Sequence, residues 1–314
     1  MQKSYTTWNE YLRGHFGEKI FKVPIDAGFD CPNRDGTVAK GGCTFCTVSG
    51  SGDMILEPDA PISVQFEKEV QAFHQKWPGV KKYIVYFQNF TNTHAPVEVL
   101  RERFEEAVNM PDVVGISIGT RPDCLPDDVI DYLAELNERM MVWIDLGLQT
   151  TYEETSELIN RAHDYQTYVD AVERLRVHDI NVCVHLINGL PGESHEMMLE
   201  NVRRMVLDTD IQGVKLHLLH LMKNTRLQRD YHQGGLRLLS QEEYVNIICD
   251  QLELIPKEIV IHRLTGDAPR DSIIGPMWSL NKWEVLNAID AEMEARHSIQ
   301  GCKDVRLSEG VSPC

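Results

Sequence analysis

Hydrophobic positions along the chain fall into two alternating patterns. Short runs rich in Val and Ile read as strands over 22–29, 82–88, 113–118, 141–147, 181–187, 214–219 and 258–264. Between them, apolar residues recur with helical spacing over 63–76, 96–109, 127–139, 165–178 and 195–207, and two later helices are expected at 241–254 and 279–296. Continuously apolar runs suit strands covered on both faces. Pro96 and Pro126 stand where a first-turn proline favours a helix start. This alternation predicts an α/β fold with parallel strands and right-handed crossovers. About six such units predict a partial (β/α)6 barrel of the TIM type, short of a closed eight-stranded one. No Pro/Gly/Ser-rich linker divides the chain, and no period of 20–50 residues repeats. The expected organisation is a single domain over 1–314: an N-terminal extension at 1–21, a barrel core at 22–220, substrate-side elements at 221–301 and a loose tail at 302–314.

Composition excludes several classes. With 42% hydrophobic and 25% charged residues the chain is neither disordered nor fibrous. No apolar run approaches the roughly 20 residues of a membrane span, and the opening MQKSYTTWNEYLRGHF lacks the apolar stretch of a signal peptide. A soluble, cytoplasmic protein is expected. The net charge of −17 argues against a non-specific nucleic-acid coat, because phosphate binding rests on clustered Lys and Arg. A local patch remains open: residues 215–282 hold nine Lys/Arg against eight Asp/Glu, so that stretch is +1 and the remainder −18.

Eight cysteines are too few for a disulfide scaffold in a chain of 314 residues. Three of them, Cys31, Cys43 and Cys46, fall in FDCPNRDGTVAKGGCTFC with spacing C-x11-C-x2-C, directly after the first expected strand. Pro32, Gly36, Gly41 and Gly42 let the loop wrap a compact inorganic group. Thiolates suit both iron–sulfur clusters and zinc. Structural zinc wants four protein ligands, and His15 and His74 lack the short spacing of a second half-site. Three thiolates instead leave one iron of a four-iron cluster open to a non-protein ligand. Incidental thiols are the third reading.

Polar groups and glycines recur where the expected strands end: Gln88 to Thr93, Gly119-Thr120-Arg121-Pro122-Asp123, Gly147-Leu148-Gln149-Thr150, Asn160-Arg161-Ala162-His163 and Leu186 to Glu193. That rim is where barrel active sites are built. Singly, each has a plain structural reading: GLPGE as a strand-to-helix turn, Gln149 as a turn cap, Arg161 as a surface ion pair, TRPD as a helix start. Their common rim position, with the cysteines upstream, points to one site.

Taken together, the cysteine trio, GTRPD, LGLQT…INRAH, HLINGLPGE and HRLTGDAPRD resemble the radical S-adenosylmethionine (SAM) superfamily, and more closely its YhcC/YtqA-type family, whose core is similar to that of the Elongator catalytic subunit. The resemblance runs from about residue 23 to about residue 301. It implies a partial barrel of the radical SAM type. It also implies a [4Fe-4S] cluster on Cys31, Cys43 and Cys46 whose fourth iron is chelated by SAM. One electron then cleaves the sulfonium C–S bond to give a 5′-deoxyadenosyl radical that takes hydrogen from an unreactive C–H bond. The Elongator subunit's acetyltransferase domain has no counterpart in this sequence, so acetyl transfer is not implied.

The resemblance also assigns residues. Phe45 is similar to the aromatic beside the SAM adenine. Gln88 to Thr93 occupy the place of the Gly-Gly-Glu motif that receives the SAM amino group; this chain departs from that motif, which leaves the role to backbone carbonyls or Asn89, with Gln88 a further cofactor-binding candidate. Gln149 and Arg161 match the pair of coproporphyrinogen-dehydrogenase-like members, in which the arginine contacts the SAM carboxylate. The acidic residue that holds the ribose in such members is Gly119 here, leaving Thr120 or Ser117 as substitutes. Gly189 to Gly192 stand where backbone approaches the adenine, with Gly189 and Leu190 as the candidate contacts. His185 is a candidate to face the substrate, against the alternative of a core histidine. Cys124 lies near the rim, either functional or a small buried hydrophobe.

Elongator similarity points to the C5 position of wobble uridine in tRNA, with conversion of a carboxymethylaminomethyl side chain to aminomethyl as the implied reaction. Lys223, Arg226, Arg229, Arg263 and Arg270 are candidates to meet phosphates, and Trp278 and Trp283 to stack a base. Flavodoxin or ferredoxin is the implied electron donor. The alternatives are a radical SAM enzyme acting on a small metabolite or tetrapyrrole, and a non-catalytic metal-binding interaction protein.

Overall fold

The computed structural model describes residues 3–48, 50 and 55–307. Seven parallel strands form the main sheet: β1 (Ile20–Ile25), β2 (Lys82–Phe87), β3 (Val113–Thr120), β4 (Met141–Gln149), β5 (Asn181–Asn188), β6 (Gly213–Leu218) and, after a short β7 (Leu221–Met222), β8 (Val260–Arg263). They lie side by side in chain order, with β8 beside β6, while β7 pairs antiparallel with β9 (Ile273–Gly275). The sheet is an open half-barrel flanked by helices, as expected. The segment 258–264 adds a seventh strand to the six-unit expectation.

The strands are not apolar on both faces. Val142, Ile144, Leu146 and Leu148 of β4, Val182, Val184 and Leu186 of β5, and Val214 and Leu216 of β6 all join one core beneath the helices. Each such buried side chain contributes about 1.5–3 kcal/mol. The intervening residues, Asp145, Gly147 and Gln149, then His185, then Lys215 and His217, point into the barrel. A run that reads as uniformly apolar is thus a strict alternation, with chemistry on the inner face.

Helix α1 (Trp8–Phe16) was not expected from the mixed-charge opening segment. A capping box builds it: the Glu10 amide donates to Thr7 Oγ1 at 3.2 Å and the Thr7 amide donates to the Glu10 carboxylate at 3.1 Å. Leu12 packs on Ile20 and Ile84. Trp8 meets Trp143 edge-on at 5.1 Å and stacks on His262 at 4.0 Å. These contacts plug the barrel at the N-terminal ends of its strands. The preceding segment extends the sheet, since the Ile261 amide donates to Thr6 O at 2.8 Å.

The first strand ends at Ile25 rather than at residue 29, because the Asp26 carboxylate accepts from the Gly28 amide at 2.8 Å and the Asp26 amide donates to Gln65 Oε1 at 2.8 Å. The last helix begins at Lys282 rather than 279, after a 3-10 turn over Met277–Leu280. Beyond Gly301 the chain docks: Cys302 is fully buried and the Lys303 amide donates to Glu253 O at 2.8 Å. Residues 308–314, Cys314 among them, lie outside the described residues. Among the described residues no helix is long and apolar enough to cross a membrane.

Candidate active site

The C-terminal ends of the strands surround a cavity of about 340 Å3. Cys31, Cys43, Cys46 and Phe45 line one side of it, and the inner faces of β4, β5, β6 and β8 line the other. The cysteine loop is tied down from a distant part of the sequence. Asn33 Nδ2 donates to Asn160 O at 2.6 Å, and Asn160 Nδ2 donates to Gly42 O at 2.7 Å. Asn160 and Ala162 adopt left-handed backbone conformations (φ 55° and 61°), which turn the INRAH segment against the loop.

Arg161 is buried within that turn. It donates to Gly147 O and, through Nη1, approaches Cys43 Sγ at 3.6 Å, while its Nε has no partner. Gly147 leaves room for it: a Cβ would stand 2.8 Å from Arg161 Nη2 and 3.0 Å from Gln149 Nε2, so both side-chain ends would have to shift. Arg121, also buried, clamps Asp123 through two bonds of 2.9 and 2.8 Å and donates to Arg161 O at 2.9 Å, locking the TRPD and NRAH segments together. The Cys43 thiol is held down to about 5, first by the hydrogen bond from Cys46 and then, against its own burial, by the Arg161 guanidinium. The same bond pushes Cys46 up.

This donor set fits an iron–sulfur cluster. The cationic guanidinium beside Cys43 suits an anionic cluster held by thiolates, and the partnerless Arg161 Nε offers a donor beside it.

Of the residues assigned from the sequence, Phe45, Gln88, Thr120, Gln149, Arg161 and His185 line the cavity with the three cysteines. Asn89 stands back, its amide donating to the Asp26 carboxylate. Gly189 lies under Leu239 and Leu219, and Leu190 is buried in the small apolar cluster against which Phe45 packs. Ser117 is fully buried and donates to Asp145 at 3.2 Å. Cys124 is outside the cavity, and burial pushes its thiol up to about 12. Trp278 Nε1 donates to Leu239 O at 3.1 Å, whereas Trp283 is exposed.

Apart from His185 and Arg263, sequence reasoning missed the cavity floor. Lys215 Nζ donates to Asp145 Oδ2 at 2.7 Å and to Tyr86 OH at 3.1 Å, and Lys22 Nζ reaches the same carboxylate oxygen at 3.2 Å. Burial alone would raise the Asp145 carboxyl; the Lys215 and Lys22 ammoniums override it and hold it well below the usual range. Lys22 is lowered to about 8, chiefly by burial. Burial also pushes His185 and His220 to about 4 and His217 well below its ordinary value, so the floor's imidazoles are neutral. Their signal in the sequence was the inward parity of β4, β5 and β6.

Glu193 of the GLPGE segment braces the rim: Thr150 Oγ1 donates to its carboxyl, and Asn201 Nδ2 donates at 3.1 Å. Burial raises Glu193 from 4.5 to about 7. A pKa raised in the folded state contributes stability that is full below the unfolded value and is lost as pH rises through the folded one. The wild-type unfolding free energy, taken relative to that of Glu193→Gln, is therefore expected to fall by up to about 3 kcal/mol between pH 4.5 and pH 8. Urea unfolding at several pH values checks this; a flat difference would show that the carboxyl stays ionised throughout.

Comparison with known proteins agrees with this geometry. The Radical SAM superfamily model matches residues 34–205, more than half of the chain, and a Radical SAM C-terminal domain model matches 211–295. The protein named YtqA of Bacillus subtilis is 58% identical over 98% of this chain and 95% of its own length. A tRNA uridine(34) acetyltransferase of Methanocaldococcus jannaschii is 27% identical over 62% of this chain and 35% of its own. The solved Elp3 of Methanocaldococcus infernus shares the fold, with a TM-score of 0.68 at 18% identity over 90% of this chain, which spans 64% of that one. The chain belongs to the radical SAM superfamily, as an enzyme related to the YhcC/YtqA type whose cofactors are a [4Fe-4S] cluster and SAM.

Proposed function

We propose that this enzyme acts on tRNA, at the C5 side chain of the wobble uridine, converting carboxymethylaminomethyl to aminomethyl; water enters, the two-carbon acid leaves as glyoxylate, and the hydrogen atom and electron the side chain gives up balance the cleavage of SAM to methionine and 5′-deoxyadenosine. The observation that carries the reading is the 198-residue stretch shared with the tRNA uridine(34) acetyltransferase, together with the fold shared with Elp3. When bound, the cluster and SAM supply reductive cleavage of SAM and hydrogen-atom abstraction from an unactivated C–H bond. Cys31, Cys43 and Cys46 hold the cluster, Arg161 meets the SAM carboxylate, Phe45 flanks the adenine, and Gln88, Thr120 and Gln149 supply polar contacts. A flavodoxin or ferredoxin delivers the electron.

The cavity mouth supports a nucleic-acid substrate. Lys40, Lys223, Arg226, Arg229 and Arg270 are exposed, and none of them enters an ion pair among the described residues. Lys223 follows the cavity-lining Met222, Arg270 follows Pro269, and Arg226 stands beside Gly41 of the cysteine loop. Unpaired cations there suit phosphates on either side of an inserted base.

Anaerobically reconstituted protein with SAM and a reductant is expected to release more 5′-deoxyadenosine when given bulk tRNA from cells lacking this gene, with loss of carboxymethylaminomethyluridine from that tRNA. Release indifferent to tRNA would overturn the substrate assignment and leave the radical chemistry standing. In tRNA binding, the double variant Lys223→Glu, Arg226→Glu is expected to lower the slope of log K against log salt by about 2. An unchanged slope would remove this patch from the interface.

A further inference from the structure

We propose that the cavity floor, formed by Lys215, Arg263, Tyr86 and His217, is a carboxylate subsite that seats the acid group of the substrate's reacting side chain. The identity of that side chain rests on the function proposed above; the preference for an anion rests on the floor alone.

Charge at the floor does not balance. Asp145 faces both Lys215 and Lys22, and Asp267 is shared between Lys282 at 2.9 Å and Arg263 at 3.6 Å. Four cations thus meet two carboxylates, inside a chain whose net charge is −17. Lys215 is only 5% exposed and Asp145 1%, so water does little to screen that end of the floor, while Arg263, Lys282 and Asp267 lie nearer solvent. The buried Nε2 atoms of His217 and His220 have no hydrogen-bond partner, His185 Nε2 stands 3.8 Å from Asp145 Oδ1, and all three rings line the cavity. A neutral imidazole carries one N–H, and in the tautomer protonated at Nε2 His217 and His220 each turn a free donor toward an acceptor in the cavity.

A cation is the wrong occupant. Asp145, Cys183 and His262 do bring ligand atoms within 4.8 Å of one another. Lys22 and Lys215, however, already sit on the Asp145 carboxylate and would repel a metal ion. An anion relieves that imbalance, and a carboxylate matches the Arg263 guanidinium and the Lys215 ammonium. Arg161 lies apart from this group, bonded to Gly147 O and close to Cys43. The site therefore offers two separate places for carboxylates: one for the methionine end of SAM, one for the substrate. Because the proposed product lacks the carboxymethyl group, the floor would distinguish substrate from product.

The test uses cluster-loaded protein with SAM and no reductant, so that binding is read without turnover. Two anticodon stem-loops, one carrying 5-carboxymethylaminomethyluridine and one 5-aminomethyluridine, are titrated by fluorescence anisotropy, and N-methylglycine is titrated separately by calorimetry. Wild type is expected to prefer the carboxymethyl stem-loop by roughly tenfold. Arg263→Gln, at a partly exposed position that leaves the buried Lys215–Asp145 pair intact, and Lys215→Met are expected to abolish that preference without weakening the aminomethyl stem-loop. Affinity for SAM should stay within about twofold in Arg263→Gln. Binding of N-methylglycine that depends on Arg263, with neither stem-loop bound, would keep the subsite and sink the tRNA reading. Equal binding of both stem-loops by wild type, a preference that survives both substitutions, or loss of SAM affinity in Arg263→Gln would each overturn the subsite. So would binding of no probe at all.

Discussion

Replacing Cys43 or Cys46 by alanine is expected to reduce 5′-deoxyadenosine formation to background and to strip iron and acid-labile sulfide from the reconstituted protein. The two thiols are joined by a hydrogen bond, and Cys43 has its thiolate favoured by that bond and by Arg161. With three protein thiolates for four irons, losing one leaves two irons without a protein ligand. Cys124→Ala is the internal control. That thiol is buried outside the cavity and raised to about 12, so full cluster content and full activity are expected. Equal loss in the Cys124 variant, or an intact cluster in the Cys43 variant, would show that the ligands have been misassigned.

Asp145→Ala is expected to destabilise the protein by about 3–5 kcal/mol, read as a shift of the urea unfolding midpoint. The carboxylate is fully buried and is the counter-ion of both Lys215 and Lys22. Removing it leaves two ammoniums at the barrel centre, Lys215 bonded to Tyr86 OH and Lys22 without its carboxylate partner, and Lys22, already lowered to about 8, would shed its proton first. Ser117→Ala removes one 3.2 Å bond to the same carboxylate and is expected to cost about 1 kcal/mol. A shift below 1 kcal/mol for Asp145→Ala would mean that water reaches the floor and screens the lysines.

Much of this was legible from local order. Strand and helix periods placed nearly every element of the main sheet, because alternation and 3.6-residue spacing report on immediate neighbours along the chain. The C-x11-C-x2-C spacing marked the cluster loop for the same reason. What stayed hidden was carried by encounters across long separations. The Asn33–Asn160 and Lys22–Asp145 contacts span 127 and 123 residues, and Lys215 meets Asp145 across 70. α1 was missed because its apolar face is narrow and its place, plugging the barrel under Trp143 and His262, is set by partners far along the chain. Cys124 and Asn89 lay in rim motifs, yet their neighbours turn one into a buried thiol and the other toward Asp26.

The half-barrel, the cysteine trio and the family follow from residue order, since each is written in spacings of a few to a dozen residues. The cavity floor does not. Whether Lys215, Arg263 and the three histidines form a solvated face or an anion site depends on which charges lie within 4 Å of one another and on how much water is excluded between them. Folding alone settles both, because the strength of an ionic interaction is set by distance and local dielectric, and neither is a property of a residue's place in the chain.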